Sequence, residues 1–489
     1  MVLWFILAYL VASVAIGLVA ARRVSSTADY AVAGRSLPLF IVVATTFATW
    51  FGSEAVLGAS AVFMRDGLGG VVEDPFGAAF CLILVGMFFA AKLYRYNFLT
   101  IGDYYRERYG TLIEVLMSGF IILSYLGWVA AQIKALGLVF HMLDPVLFSE
   151  EAGMIIGTLI VMIYTLFGGM WSVALTDFFQ MIVIVVGLVL IAYFATDLAG
   201  GVHVVVQEAS SRNLLDFFPD ANLRDVLFFI AALITMMLGS IPQQDVYQRV
   251  MSAKNVDVAR RGPILGGILY LLFALVPMYI GAAAFGYIPD TVGAMLAEDP
   301  QKILPAFILG HMPLAAQVLF FGALLSAIMS TASATLLAPS TSFVENLLRY
   351  ARPNMSDQAS LRAMRVAVVV FAMCVMVFAL TSSHSIYEMV ASAYTVTLVG
   401  AFVPLVMGLY WKRATTQGAL FAVIGGVLCW QITDWGYAEV FPSQLAGLLG
   451  GFAGMFLGSL LPQWIRPRAR PALYPEPTDP ALKAASARG

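Results

Sequence analysis

Charged residues are scarce in this sequence. Asp, Glu, Lys and Arg make up 11% of the 489 residues, whereas they make up about 25% of an ordinary soluble protein. Hydrophobic residues make up 61%, and the mean hydropathy is +0.88. A chain with so few charges cannot cover a globule with a polar surface, which excludes a soluble enzyme, a disordered protein and a collagen-like fibre. The composition therefore indicates a polytopic membrane protein.

Cysteine and histidine are also scarce, and their placement argues against a metal centre or a catalytic site. The three cysteines lie inside apolar runs, without the spacing of a disulfide or metal framework. The four histidines lie near the ends of apolar runs or between them, and the sequence has neither an HExxH motif nor a nucleophile elbow. The net charge of −2 provides no basic surface for nucleic acid. We therefore predict that the protein is not an enzyme and binds no nucleic acid.

Thirteen apolar runs are long enough to cross a bilayer as helices, each of which needs roughly 20 residues. They cover residues 2–21, 37–64, 75–94, 112–142, 152–170, 173–197, 225–246, 264–288, 313–345, 364–382, 386–411, 416–435 and 443–463. The first run resembles a signal peptide, but Arg22 and Arg23 follow the apolar stretch instead of preceding it. We therefore predict that this run is a spanning helix whose N-terminus lies outside.

The basic residues orient these spans. With the N-terminus outside, most of the 27 Lys and Arg residues fall in segments that lie inside, as the positive-inside rule requires. We predict a multi-pass protein of the plasma (inner) membrane, surrounded by lipid, with a cytoplasmic C-terminus and no evident obligatory protein partner. The segment 465–489 is rich in Pro and Ala and is predicted to be a disordered cytoplasmic tail.

A few ionisable residues lie within the predicted spans, where a charge costs about 2.5–3.5 kcal/mol on insertion scales. Glu54, Lys134 and Asp177 have apolar residues on both sides. They are predicted to face a cavity or a polar partner with a functional role, and structural pairing is the alternative. Glu73 and Asp74 begin a span, where an interfacial position is equally compatible with the sequence. Glu388, at the start of another, fits an interfacial position better.

The second and ninth spans carry the strongest signs of an ion site. The second, 37–64, has two glycines, a glutamate and several hydroxyl side chains in its middle. Transporters use such interrupted helices to expose backbone carbonyls to Na⁺, although a glycine-containing helix that packs closely is the alternative. The ninth span has a face of small and hydroxylated residues at helical spacing, which suits a weakly held monovalent cation with oxygen ligands. These residues are Ala323, Ala327, Ser330, Thr331 and Ala334.

Five motifs together give the chain a specific resemblance. They are GRSLP at 34–38, ALTDFFQ at 174–180, IPQQDVYQRV at 241–250, SAIMSTAS at 326–333 and GLYWKR at 408–413. With them, the chain resembles the sodium:solute symporters, which include the proline, sugar, sialic acid and choline carriers. The resemblance implies an all-α polytopic membrane protein of about 13 transmembrane helices, with two inverted five-helix repeats of the LeuT-like type. On this chain the transporter domain would cover 1–464. Its parts would be the repeats at about 37–197 and 225–411 and the accessory helices 2–21, 416–435 and 443–463.

The resemblance also implies where sodium binds. The family's main sodium site uses two carbonyls at the break in the first repeat helix, one carbonyl on the eighth core helix and two hydroxyls beside it. The matching positions are Ala48, Phe51, Ala327, Ser330 and Thr331. Some members hold a second sodium, for which the matching positions are Asp177, Ser330 and Ser333. Here Ala334 stands where such members can have another serine, so the resemblance implies one sodium site and leaves a second open. Asp177 could instead only anchor the helices of the first site.

The substrate is less well defined. The stretches ATWFG and GWVAAQIKALG are similar to those of high-affinity choline carriers, in which two tryptophans of a quaternary-ammonium cage match Trp50 and Trp128. The third cage position matches Gln243, which is not aromatic. Lys134 would repel a bare cation if it faced the pocket, so mixed Trp, Glu and Lys chemistry favours a zwitterion. Trp128 as a packing residue and Lys134 paired elsewhere stay open as alternatives. The candidate substrate-binding residues are Trp50, Glu54, Asp74, Trp128, Lys134 and Gln243.

The function implied is a sodium-coupled secondary active symporter. It would import a small polar organic solute, such as an amino acid, a betaine or a choline-like amine, by alternating access. The alternatives are a proton-coupled carrier of the same fold, with Glu54 or Lys134 as the proton site, a channel, or a solute sensor. A channel is expected to show polar stripes on several helices, and a sensor is expected to carry a signalling domain after the last span. Neither feature is evident in this sequence.

Overall fold

The computed structural model describes residues 2–465. Of the predicted tail, 465–489, only residue 465 is described, and the predicted cytoplasmic C-terminus lies outside the described residues. The helices of the first half are α1 (Val2–Ala20), α2 (Thr27–Val32), α3 (Leu39–Trp50), α4 (Glu54–Gly70), α5 (Val72–Tyr94), α6 (Ile101–Tyr109), α7 (Thr111–Leu143) and α8 (Glu150–Leu198). Those of the second half are α9 (Val202–Ser211), α10 (Leu223–Gly239), α11 (Gln244–Ser252), α12 (Val256–Tyr287), α13 (Pro289–Glu298), α14 (Ile303–His311), α15 (Leu314–Ala351), α16 (Asp357–Thr381), α17 (Ile386–Tyr410), α18 (Thr416–Gly436) and α19 (Ser443–Leu460).

This inventory confirms the all-α fold but not the count of thirteen spans. Within residues 2–465, 10 helices are long and apolar enough to cross a membrane, or up to 12 if each of two bent pairs is one span. The predicted fifth span, 152–170, is the first part of α8, which continues to Leu198 through a bend at Gly169. Gly169 has a φ of +49°, and a Cβ there would lie 2.5 Å from the backbone oxygen of Tyr30. Only glycine fits this bend, because residues with a side chain rarely adopt this positive φ and the backbone at Tyr30 leaves no room for a Cβ.

The two bent pairs fall where the predicted repeats begin. Helices α3 and α4 meet at 55°, and helices α10 and α11 meet at 47°. The first break contains Gly52, and the second contains Pro242, which has no N–H to continue a helix. Two backbone hydrogen bonds join the segment before α3 to the end of α11. The Leu37 N–H donates to the Ser252 carbonyl (2.9 Å), and the Lys254 N–H donates to the Leu37 carbonyl (3.0 Å). The boundaries of the repeats remain a prediction, but both broken helices are present and joined at one end.

Glu388 illustrates how an acidic residue at a span end is accommodated. The Glu388 carboxylate accepts the Ser385 N–H at 2.9 Å, while the Ser385 hydroxyl accepts the Glu388 N–H at 3.2 Å. This reciprocal capping box satisfies two N–H groups at the start of α17. The interfacial position predicted for Glu388 agrees with this helix-end role.

Candidate sodium and substrate site

The break between α3 and α4 is the centre of the candidate site. Helix α3 ends where Phe51 leaves the helical region, with φ −89° and ψ 70°. Beyond it, the Ser53 N–H donates to the Gln132 side-chain oxygen at 2.9 Å. A helix end leaves its last carbonyls without partners in the helix, and Ala48 and Phe51 lie in this part of the chain with no exposed surface. Ala48 and Phe51 are the two positions at the break whose carbonyls the resemblance assigns to sodium.

Helix α15 brings Thr331 against this break. A Cβ added to Gly52 would lie 2.7 Å from the Thr331 hydroxyl oxygen and 2.9 Å from the Gln132 side-chain oxygen. The Thr331 hydroxyl is fully buried and has no hydrogen-bond partner among the described residues. A buried hydroxyl without a partner is unusual in proteins, and a hydroxyl oxygen is a ligand that Na⁺ accepts. The observation fits a sodium ion at this position, with Ala327 buried on the same helix.

Asp177 connects three helices around the ion site. Its carboxylate accepts hydrogen bonds from the hydroxyls of Thr45, Thr49 (3.3 Å) and Ser330 (2.6 Å). Because Ser330 gives its hydrogen to Asp177, its oxygen lone pairs stay free for a cation. The Ser333 hydroxyl donates to the Ser330 carbonyl at 3.0 Å. Asp177 thus joins α8 to α3 and α15, which is the anchoring role that the sequence left open beside a second ion site.

Four aromatic rings form a buried cluster beside the break. The Trp50 ring lies 5.7 Å from that of Trp128 and 6.2 Å from that of Tyr394, and the Trp128 and Tyr394 rings lie 5.5 Å apart. Tyr125 stacks on Trp128 at 6.0 Å. These distances are between ring centroids, and all four side chains are at most 1% exposed. We call these four residues, Trp50, Tyr125, Trp128 and Tyr394, the aromatic cluster.

Two buried carboxylates accept hydrogen bonds from the aromatic cluster, and the first of them is Asp245. Trp50 Nε1 donates to Asp245 at 3.1 Å, and the Tyr125 hydroxyl donates to Asp245 at 2.5 Å. Asp245 has no exposed surface. These bonds fix the orientation of the Trp50 and Tyr125 rings.

The second carboxylate of the aromatic cluster is Glu54. Trp128 Nε1 donates to it at 2.9 Å, and the Gln132 amide donates to it at 2.7 Å. The Gln132 oxygen also accepts the Ser53 N–H in the break. Glu54 is therefore connected both to an aromatic ring and to the backbone next to the ion site.

Two predicted substrate residues, Lys134 and Gln243, make hydrogen bonds outside the aromatic cluster. The Lys134 ammonium donates to the His384 carbonyl at 2.6 Å and lines a cavity of about 460 Å³ at the predicted outer end. Six positions of an α-helix correspond to about 600° of rotation, so Lys134 and Trp128 leave α7 on different sides. The Gln243 amide donates to Ser124 at 2.9 Å and Thr397 at 3.3 Å. Its hydrogen bonds thus link α7 and α17, and its side chain does not supply a third aromatic face.

Asp74 lies close to Glu54 but is bonded differently. One Asp74 oxygen accepts the hydroxyl of Tyr270, and the other is buried without a hydrogen-bond partner among the described residues. Glu54, Glu73 and Asp74 line one closed space. Asp74 is thus buried inside the bundle at the start of α5.

Several residues of the site were missed by the sequence reasoning. Asp245 lies inside the IPQQDVYQRV motif, so a search for charges near the second break would have found it. Arg249, in the same motif, donates to the Asp245 carbonyl at 2.9 Å and to the Thr49 hydroxyl at 2.6 Å. Tyr394 lies in an apolar stretch with no local signal, and only the packing of α17 on α7 brings it to the tryptophans.

The loop near the outer cavity is held by an ion pair. Partial burial would lower the pKa of Lys302, but Glu150 (3.1 Å) and Asp299 (3.5 Å) raise it above its ordinary value. These residues connect the start of α8 to the segment between α13 and α14.

Within residues 2–465, no group of three or more His, Cys, Asp and Glu side chains could hold a metal ion.

Comparison with known proteins gives relatives over most of the chain. The high affinity choline transporter 1 of Homo sapiens is 27% identical over 407 residues, covering 81% of this chain and 69% of the relative. The sodium/pantothenate symporter of Escherichia coli (strain K12) is 26% identical, covering 94% of this chain and 97% of the relative. The osmoregulated proline transporter OpuE of Bacillus subtilis (strain 168) is 26% identical, covering 91% and 92%.

Solved structures show the same fold. A Na⁺-coupled sialic acid symporter in a substrate-bound outward-open state matches with a TM-score of 0.81 at 19% identity, over 96% of this chain and 99% of that chain. Mhp1, a nucleobase-cation-symport-1 family transporter in a closed conformation with bromovinylhydantoin bound, matches with a TM-score of 0.56 at 16% identity. This match covers 89% of this chain and 96% of that chain. At these identities the matches establish the LeuT-like fold alone.

The family assignment rests on the sequence. The pattern of the Sodium:solute symporter family matches residues 30–426, which include both broken helices, the ALTDFFQ motif and the hydroxyl-rich part of α15. Relatives and family are transporters and not enzymes. The chain belongs to the sodium:solute symporter family.

Proposed function

We propose that this protein imports a small organic solute with a positively charged amine, coupled to the inward sodium gradient. Choline-like amines fit best. Betaines share their quaternary ammonium group, and amino acids carry a protonated amino group. The observation that supports this class is the aromatic cluster, in which the rings of Trp50, Trp128 and Tyr394 meet next to Glu54 and Asp245. Aromatic faces attract cations by about 0.5–2 kcal/mol, and the carboxylates add to that attraction.

The position of Lys134 matters for this choice. An ammonium group inside the pocket would favour a zwitterion over a bare cation, as the sequence suggested. The Lys134 hydrogen bond to His384 instead fixes that charge at the outer cavity. Trp128 donates to Glu54, and Trp50 and Tyr125 donate to Asp245. Both are acidic. Arg249 lies beside Asp245 and offsets its charge, so Glu54 is the carboxylate that favours a cation.

The break between α3 and α4 would couple the sodium site to the solute site. The proposed sodium ligands include the carbonyls of Ala48 and Phe51, and Trp50 lies between them with its side chain in the aromatic cluster. An ion that orders this backbone also orders the Trp50 ring. Sodium would therefore stabilise the conformation that binds solute, and solute would stabilise the conformation that binds sodium, since coupling between two sites is reciprocal.

Alternating access follows from the same arrangement. Two cavities, of about 460 and 530 Å³, are lined by Glu388 at the start of α17, which is the predicted outer end. Sodium and solute would enter from this end and stabilise a closed state. Loss of sodium to the low-sodium cytoplasm would then loosen the break and release the solute inward. We propose one sodium per cycle at Ala48, Phe51, Ala327, Ser330 and Thr331, with Asp177 and Ser333 as positioning residues.

The setting of the transporter is part of the proposal. We propose that it lies in the plasma (inner) membrane with the N-terminus outside and the C-terminus cytoplasmic, because that orientation places most basic residues inside. It would be surrounded by lipid and would require no protein partner. The transporter domain would cover 1–464, with repeats at about 37–197 and 225–411.

Ligand-induced stabilisation of the purified protein tests the proposal. Choline, betaine, proline, histidine, a sugar and a carboxylate would be added in Na⁺ or in K⁺, and the melting temperature measured. We expect an amine to raise the melting temperature in Na⁺ and not in K⁺, because a ligand stabilises the state that it binds. Stabilisation by the carboxylate or the sugar alone would contradict the substrate class, and equal stabilisation in K⁺ would contradict sodium coupling.

Tyr394 allows a test of the aromatic contribution. We expect Tyr394→Leu to weaken amine binding by about 5- to 30-fold, since a cation–π contact contributes up to about 2 kcal/mol. Tyr394→Phe keeps the ring and is expected to bind within a few-fold of the parent protein. Equal losses in the two variants would show that the hydroxyl, and not the ring face, is what the ligand uses. Affinities would be measured by calorimetry or by competition in proteoliposomes.

A further inference from the structure

Three carboxylates share a closed space next to the aromatic cluster. Glu54 comes from α4, and Glu73 and Asp74 come from the start of α5. Tyr387 of α17 closes the space, which has no room for a water molecule. A charged carboxylate oxygen that faces this space is therefore not hydrated there.

The hydrogen bonds in this space are incomplete. Glu54 accepts from Trp128 and Gln132, and one oxygen of Asp74 accepts from Tyr270. The other oxygen of Asp74 and one oxygen of Glu73 are buried and have no hydrogen-bond partner among the described residues. Asp74 is itself only 2% exposed. An ionised carboxylate is rarely buried without partners, because the group takes up a proton instead.

The helices around this space, within the part of the chain that the structure describes, add no basic side chain to its lining. Helix α12 contributes Tyr270, α17 contributes Tyr387, and α10 contributes Met236. Helix α7 contributes the hydrogen-bond donors of Trp128 and Gln132 to the carboxylate from α4. The three acidic groups therefore face one another and two tyrosines.

The nearby charged residues lie on the outer side of this space. The basic Arg65 and Lys134 and the acidic Glu388 line the outer cavity of about 460 Å³. Lys134 donates to a backbone carbonyl there, and Arg65 is paired with its neighbour Asp66 at 2.8 Å. These groups are therefore engaged outside the closed space.

We propose that Asp74 binds a proton in this conformation and that the positive charge of the solute displaces it. The inference rests on the proposed function only in assuming a cationic solute. The proton leaves the Asp74 carboxyl group, passes to Glu73, and from there reaches water. Glu73 suits this step because it lines both the closed space and the open cavity of about 530 Å³. No covalent bond other than O–H is made or broken.

The exchange has a definite sign. Because solute and proton compete, acid is expected to weaken solute binding by about 10-fold per pH unit in the range where Asp74 is protonated in the free protein. At higher pH, where Asp74 has lost its proton, the affinity is expected to be constant. Binding of one solute is expected to release about one proton in the acid range.

Infrared spectroscopy of the ligand-free protein tests the proton itself. The wild-type spectrum is expected to contain the carbonyl stretch of protonated carboxylic acids, and Asp74→Asn is expected to remove the part of that band that belongs to Asp74. The asparagine keeps an oxygen for the Tyr270 hydroxyl, so this variant is expected to fold. Glu439→Gln is the matched control, because Glu439 is exposed in the connection between α18 and α19. The band is expected to be unchanged in the control, and a band in Asp74→Asn identical to that of the wild type would overturn the assignment.

Proton release tests the exchange. Calorimetric titration with the stabilising amine, in buffers of different ionisation enthalpy, is expected to show release by wild type and by Glu439→Gln, and none by Asp74→Asn. Amine binding without release in the wild type would overturn the exchange. The infrared result needs no solute, so a failure of the proposed substrate class remains distinguishable from a failure of the proton site.

Discussion

Replacement of Gly52 by alanine is expected to lower sodium-coupled uptake by about 100-fold. The added methyl group would lie 2.7 Å from the Thr331 hydroxyl and 2.9 Å from the Gln132 oxygen, and closer still to Glu54. Overpacking of this kind costs about 1–3 kcal/mol, and the groups pushed aside are those that hold the ion and the solute. Uptake into proteoliposomes, normalised to the amount of folded protein, measures the effect.

Gly119→Ala is the matched control for this substitution. Gly119 lies on α7, and a Cβ there would meet nothing within 4 Å. We expect this variant to transport at close to the parental rate. Parental transport by Gly52→Ala would mean that α15 does not approach the break as closely as the structure indicates, and the ion site would have to be reassigned.

Thr331→Ala is expected to raise the half-saturating Na⁺ concentration by about 10- to 100-fold. A hydrogen bond to a charged group contributes about 1.5–3 kcal/mol, and we use that range for the hydroxyl–sodium contact. In the structure this hydroxyl makes no protein hydrogen bond among the described residues, so its removal leaves no other group unpaired. The folded protein is therefore expected to keep its melting temperature in the absence of sodium.

Thr331→Ser and Ser330→Ala complete this experiment. The serine keeps the hydroxyl and is expected to keep the half-saturating Na⁺ concentration within a few-fold. Ser330→Ala is expected to weaken sodium binding and also to destabilise the protein, because it removes a donor to the buried Asp177 carboxylate. Uptake by Thr331→Ala at the parental Na⁺ dependence would rule out the hydroxyl as a ligand.

Much of the fold was predictable because membrane spans need long apolar runs. Both ends of α7, the end of α12 and the start of α15 lie within one residue of the predicted runs, whereas α12 begins before its run and α15 continues beyond its run. The break near Gly52 follows from its glycine and polar neighbours. The number of spans was not predictable from hydropathy in the same way. The backbone leaves the helical region at Gly169 inside α8, and hydropathy alone does not show whether the segments on either side cross the membrane once or twice.

The site was predictable only where local sequence carried it. The motif around Ser330 and Thr331 placed the hydroxyls, and helical spacing put them on one face. Helical spacing also separates Lys134 from Trp128, since six positions turn the helix through about 600°. Tyr394 could not be predicted in this way, because its contact with the tryptophan at the break joins residues from the two halves of the chain.

The aromatic cluster gives the protein an optical reporter of its own. The chain has eight tryptophans, and Trp50 and Trp128 are both buried where the solute is proposed to sit. Others, such as Trp4, Trp435 and Trp464, lie on the surface of the protein and are each more than 70% exposed. A bound amine would change the emission of the two buried indoles and leave the surface ones unaffected. Occupancy of the transporter could then be followed in real time without a label.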